Sequence, residues 1–255
     1  MITALDSIKL TTADIATAAT AMERLLGGAL TVGEESATVH LANTSLDLAL
    51  AEDGSEGLAG LAFSVENLDQ ALRVCERRAL KPGAPVAFAE TDATGLREGR
   101  HIDLDVAATF GVPISLIEYA SPPSRPSNAG EGAINGLDHL VIRTTHPNRA
   151  AALYGARLGL DMRLDRTEPK WGARLMFFRA GHLIVEVVHN LAEEPSDAPD
   201  KLWGLSWRVA NAEAAHARLK AEGFDISEIR TGRKPGTRVF TVRNNTLGVP
   251  TLIVA

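Results

Sequence analysis

The chain has 255 residues, 45% hydrophobic and 23% charged, with a formal net charge of -6. That length accommodates two domains of about 100–150 residues, each able to bury a core of its own. The acidic balance argues against a general nucleic-acid or anionic-membrane partner, and the single cysteine excludes an internal disulfide and a cysteine-based zinc site.

No apolar run reaches the 18 residues that a membrane span needs. The first residues carry no basic segment followed by an apolar one, so no secretory signal is visible. A cytoplasmic, non-membrane protein is expected.

The first element in the chain is a strand pattern, Leu5-Asp6-Ser7-Ile8-Lys9-Leu10, followed by a polar turn and an Ala-rich helix from Asp14 to Gly27. Ala37–Leu41 and Ser45–Leu50 alternate with period two and form a plausible hairpin. Leu61–Val65 reads as a further strand, and Asn67 opens a second helix, Asn67-Leu68-Asp69-Gln70-Ala71-Leu72. Cys75 falls inside that helical pattern with no activating histidine nearby, and it reads as a small core residue. A Gly111-Val112-Pro113 turn and a strand through Glu118 close this half.

Ser121–Gly130 is rich in Pro, Ser and Gly without apolar periodicity, as a linker should be. Beyond it the order of events repeats. Leu137-Asp138-His139-Leu140-Val141-Ile142 copies the opening strand 132 residues later, with His139 in place of Ser7. A helix from Asn148 to Gly159 follows, then Arg174–Arg179 and His182–Val188 with a turn at Ala180-Gly181. Leu205–Val209, a helix opening at Asn211, and Gly248-Val249-Pro250 before the last strand complete the copy. Such self-similarity governs the reading of the whole fold. The expected boundaries are 1–120 for a first domain, 121–134 for the linker and 135–255 for a second domain.

With these motifs in view, the chain resembles the vicinal oxygen chelate superfamily: glyoxalase I, methylmalonyl-CoA epimerase, the extradiol dioxygenases and the bleomycin- or fosfomycin-resistance proteins. Leu137–Ile142, Ala152-Leu153-Tyr154, Arg157-Leu158-Gly159-Leu160 and Leu61–Asp69 carry the resemblance. It implies an α+β fold of four βαβββ modules, paired into two cupped mixed β-sheet domains with helices outside. It also implies metal ligands on the first and last strands of each module. At those positions the third module has His139 and Glu186, and the fourth has Gly204 and Ala255. The first module has Ser7 and either Asp47 or Leu48; the second has Gly60 and Glu118. The first half, lacking the histidine, is expected to be a structural partner.

His139 and Glu186 are therefore the candidate catalytic residues, and the same two are the candidate metal ligands. The cofactor is one divalent metal (Mn, Fe, Ni or Zn) or none. Without metal, Glu186 would serve as general base and His139 would orient or donate. Among other ligands for such a metal, His182 shares the parity of Glu186 while His189 does not. Arg174 and Arg238 are candidate substrate-binding residues, Arg238 within the basic run Arg230–Arg238 that could form a rim for a carboxylate or phosphate. Trp203 and Trp207, both odd-numbered from Gly204, should pack beneath the helices. No Ser-His-Asp or Cys-His signature is readable along the chain.

The reading that follows is a lyase or isomerase acting on a small oxygenated or aromatic metabolite in the second half. A non-catalytic binding protein of the drug-sequestering type is the alternative. A ring-cleaving dioxygenase comes third, since Gly204 and Ala255 stand where two of its three iron ligands belong. The expected partner is a small-molecule ligand, and a homodimer is expected because proteins resembling this one associate.

Overall fold

The computed structural model describes residues 1–92, 94–126 and 130–255. Part of the expected linker, 127–129, lies outside the described residues. The first module comprises β1 (Ile2–Thr12), α1 (Ile15–Leu26), β2 (Thr31–Val32), β3 (Ser36–His40) and β4 (Ser45–Leu50). The second comprises β5 (Gly57–Val65), α2 (Leu68–Arg77), β6 (Val86–Asp92), β7 (Gly95–Asp103) and β8 (Ile114–Tyr119). The third runs through β9 (Ile134–Arg143), α3 (Pro147–Ala151), a π-helical segment (Ala152–Arg157), β10 (Asp161–Glu168), β11 (Ala173–Ala180) and β12 (Leu183–Asn190). The fourth is β13 (Lys201–Val209), α4 (Ala212–Ala221), β14 (Arg230–Thr231), β15 (Arg238–Val242) and β16 (Thr251–Val254).

Each half forms one eight-stranded sheet. The orders are β2-β3-β4-β1-β5-β8-β7-β6 and β10-β11-β12-β9-β13-β16-β15-β14. Adding eight to each strand number converts the first order into the second, so the duplication is complete at the level of topology. Both sheets are mixed: β5 runs parallel to β8 and β13 to β16, while the hairpins are antiparallel. This is the α+β architecture of four βαβββ modules. No helix among the described residues is long and apolar enough to cross a membrane.

Local chemistry explains the helices. Asp14 caps α1, its carboxylate accepting from the N–H groups of Ala16 and Thr17 at 3.0 and 3.2 Å. Ile15, Ala18, Ala19, Met22, Leu25 and Leu26 form its buried stripe, and Gly27 ends it at φ 74°. Asn67 and Asn211 cap α2 and α4 in the same way. Cys75 is fully buried in α2, where loss of solvent pushes its thiol up to about 11, so it is packing rather than a nucleophile.

The third module departs from expectation. Asn148–Gly159 reads as one helix, but the α-helix stops at Ala151 and the chain widens, Leu158 N–H bonding to the Leu153 carbonyl at 2.8 Å. The wide turn lays Tyr154 against Phe178, ring centres 5.6 Å apart.

Packing groups the modules differently from the sheets. One compact unit contains Met1–Ser7, Ala59–Ser124 and Leu140–Trp203. In it Arg157 donates to the carbonyls of Arg78 and Ala108 at 2.9 and 3.0 Å, and the Arg149 guanidinium lies 4.6 Å above the Phe110 ring. The other contains Ile8–Leu58, Arg125–His139 and Gly204–Ala255. Here Arg218 donates to the carbonyls of Leu25 and Gly132 at 2.7 and 3.2 Å. The second and third modules thus pack together, as do the first and fourth.

Candidate functional site

The faces of the second sheet follow from its register. Trp207 lies opposite Ile253 and Ile253 opposite Phe240, whose ring meets that of His216 on α4 at 5.1 Å. This row therefore faces the helix, and Trp207 is buried as its spacing from Gly204 predicts. Side chains alternate along a strand, so Ser206 and Arg208 occupy the face turned away from α4.

His139 reaches that face. Its Nε2 lies 2.8 Å from the Ser206 hydroxyl, and its Nδ1 lies 2.8 Å from Oδ2 of Asp138. The hydrogen bond from His139 holds the Asp138 carboxyl below its ordinary range against the opposing effect of burial, and Lys234 and Arg208 assist by charge. An ionised carboxylate only accepts, so Nδ1 carries the proton. In the neutral ring Nε2 then presents a lone pair, and the Ser206 hydroxyl donates to it. A carboxylate on one nitrogen is the arrangement that makes the other a good base or metal ligand. Ser206 is buried and His139 partly so.

The remaining candidates lie elsewhere. Glu186 belongs to the other compact unit, on β12 opposite Phe177. The neighbouring pair Phe178–Val185 lies under Tyr154, so Glu186 points away from the helical segment. Arg174 faces the opposite way from Glu186: it donates to Asn148 on α3 at 2.8 Å and pairs with Asp165 at 2.7 Å. Arg238 pairs with Glu213 on α4 and so lies on the helical face of its sheet. Arg238 is therefore turned away from the face that holds Ser206 and the His139 imidazole, because an odd step along a strand reverses the face.

Glu118 is held at 2.7 Å by Arg100, which also bonds Asp69 on α2. His189 is buried with Nδ1 on the Thr144 carbonyl at 3.1 Å, and His182 is exposed at the turn. Trp203 corrects an expectation: it is 44% exposed, with the Arg143 guanidinium 5.8 Å from its ring centre instead of a helix over it.

Sequence reasoning missed Asp138 and Ser206. Asp138 stands beside His139 in the strand motif, but alternation alone gives adjacent strand residues opposite faces. Ser206 is 67 residues from His139, and nothing local announces the contact. The donor set does not fit a catalytic metal of about three protein ligands. No group of three or more His, Cys, Asp or Glu side chains is placed to hold one among the described residues. Gly204 and Ala255 offer no ligating side chain, and Ser206 engages the ring nitrogen a metal would need.

Comparison with known proteins agrees with this fold. Residues 138–241 match the profile of the Glyoxalase/Bleomycin resistance protein/Dioxygenase superfamily. Among solved structures, a Mn(II)-bound glyoxalase from Novosphingobium aromaticivorans superposes with a TM-score of 0.76 at 12% identity, covering 99% of this chain and 82% of that one. A 2,2',3-trihydroxybiphenyl 1,2-dioxygenase from Sphingomonas wittichii strain RW1 gives 0.70 at 18% identity, covering 100% and 90%. A catechol 2,3-dioxygenase gives 0.67 at 16% identity, covering 99% and 92%. No curated protein matches significantly. Residues 138–241 thus resemble the Glyoxalase/Bleomycin resistance protein/Dioxygenase superfamily in sequence, and the whole chain shares the doubled fold of these solved structures.

Proposed function

We propose that the protein is a lyase- or isomerase-type enzyme in which His139 acts as the base on a small oxygenated metabolite. The observation carrying this reading is the chain of hydrogen bonds Asp138–His139–Ser206, whose imidazole meets the serine on the sheet face away from α4. Nε2 takes a proton from a carbon next to a carbonyl, and the ionised Asp138 stabilises the imidazolium that forms. The Ser206 hydroxyl, released from Nε2, donates to the oxygen on which charge develops. Returning the proton to a neighbouring carbon, or expelling a leaving group, completes an isomerisation or an elimination. No step passes through a metal.

A second reading is a binding protein without chemistry, favoured by Gly204 and Ala255 at two expected ligand positions. Incubation in D2O with a panel of 2-oxo acids, 2-hydroxy ketones and acyl thioesters, followed by proton NMR, separates the two. Enzyme-dependent loss of an α-proton signal, abolished in His139→Asn, is the expected result. Compounds that bind but never exchange would leave only the binding protein.

A further inference from the structure

Side chains that the proton transfer does not use share the sheet face of Ser206 and the His139 imidazole. Register places Arg208 opposite Val254, Val254 opposite Val239, and Val239 opposite Arg230. Directly opposed residues share a face. These four therefore form one row on the face that carries Ser206 and the His139 imidazole. The adjacent row on that face is Ser206, Leu252 and Thr241. Arg208 and Arg230 stand at the two ends of a short apolar floor, three strand spacings or ~14 Å apart.

Arg208 is positioned rather than loose. Its Nε donates to Oδ1 of Asn135 at 3.2 Å. A Cβ added at Gly136 on β9 would stand 3.1 Å from Nη2 of Arg208. Lys234, in the turn between β14 and β15, is a third cation whose charge is felt at Asp138. The other basic residue of this hairpin with a defined role, Arg238, is committed to Glu213 on the opposite face. In a chain of net charge -6, these three cations run against the overall balance.

We propose that the site selects anionic ligands: a small metabolite with an apolar body and a carboxylate or phosphate, held by Arg208, with Arg230 and Lys234 forming a cationic rim. The inference rests on the reading of His139 as the centre of the site. Guanidinium suits either anion because its paired N–H groups match two oxygens at once, and Val239, Val254 and Leu252 supply the surface for the apolar body.

The test follows the His139 imidazole by proton–nitrogen NMR, its signals assigned by their loss in His139→Asn. Benzoate, phenyl phosphate and the neutral benzyl alcohol are titrated in turn. The expected result is that one of the anions shifts the His139 signals with a Kd at least about tenfold below that of the alcohol, as a charge-assisted hydrogen bond implies. Arg208→Gln should erase that preference, Arg230→Gln should reduce it, and added salt should weaken the anion alone. Whichever anion binds better identifies the group.

Equal binding of acid and alcohol would overturn the inference while leaving His139 as the centre of an oxygenated-ligand site. An anion preference unchanged in Arg208→Gln would also overturn it. No response of His139 to any of the three probes would overturn both this inference and the reading beneath it.

Discussion

The Ser206 hydroxyl and Nε2 of His139 lie 2.8 Å apart, and Asp138 Oδ2 stands the same 2.8 Å from the ring's other nitrogen. Both nitrogens of one imidazole are thus satisfied within a single compact unit. A ligand that takes Nε2 must displace the Ser206 hydrogen bond, and that hydroxyl becomes a donor directed at the incoming group. The site is therefore poised to exchange one internal hydrogen bond for a ligand contact.

The tautomer of His139 tests this arrangement. The neutral ring is expected to hold its proton on Nδ1, with Nε2 giving the nitrogen shift of an unprotonated acceptor. Asp138→Asn removes the obligatory acceptor, so the two tautomers should mix and any His139-dependent exchange should fall by about 10²–10⁴-fold, the range of acid–base assistance. A wild-type ring protonated on Nε2 at neutral pH would contradict the relay.

Two aspartates should depend on pH in opposite senses. Asp138 is lowered from 3.8, foremost by its hydrogen bond to His139, so its stabilisation is present above pH 3.8 and disappears as pH falls through the lower folded value. The stability gap between wild type and Asp138→Asn should close over that acidic window. Asp200 is raised from 3.8, because desolvation outweighs its bonds to Thr144 and Arg149 at 2.8 and 2.9 Å. Its folded form holds the proton more tightly, so stability falls as pH rises from 3.8 through the folded value. Relative to Asp200→Asn, the wild type should gain melting temperature as pH drops across that interval. Parallel profiles for both pairs would contradict the assignment.

Gly111 and Gly236 make a matched comparison. Both have positive φ, 98° and 82°, but a Cβ on Gly111 would lie 2.5 Å from Cβ of Pro199, whereas nothing approaches within 4 Å at Gly236. Gly236→Ala should cost only the backbone strain, about 1 kcal/mol. Gly111→Ala adds a clash within its unit and should cost about 2–4 kcal/mol in urea unfolding. Equal losses would show that the loop yields freely around Pro199.

Much of the architecture was legible along the chain. The paired strand motifs at Leu5 and Leu137, the Asp14, Asn67 and Asn211 caps, and both Gly-Val-Pro turns are local signals, and hydrogen bonding and periodicity convert them directly into four modules. The π-helical segment was not legible, because Ala152-Leu153-Tyr154 has the composition of an ordinary helix and only packing against Phe178 accompanies the wider turn. The parity argument succeeded for Trp207, whose row faces α4, and failed for Trp203 near the start of β13, where Arg143 lies over the ring in place of a helix.

The sequence by itself determined the duplication, the strand and helix order, and His139 as the departure between the copies. Only the tertiary structure decided which side chains accompany it. Alternation states which residues of one strand share a face, but strand pairing sets which rows of different strands abut. That register brings Ser206 to Nε2, aligns Arg208 with Arg230 across two intervening strands, and sends Arg238 to Glu213 on the other side. Strand pairing is fixed by burial and hydrogen bonding summed over the whole sheet, and no short stretch of chain contains that sum.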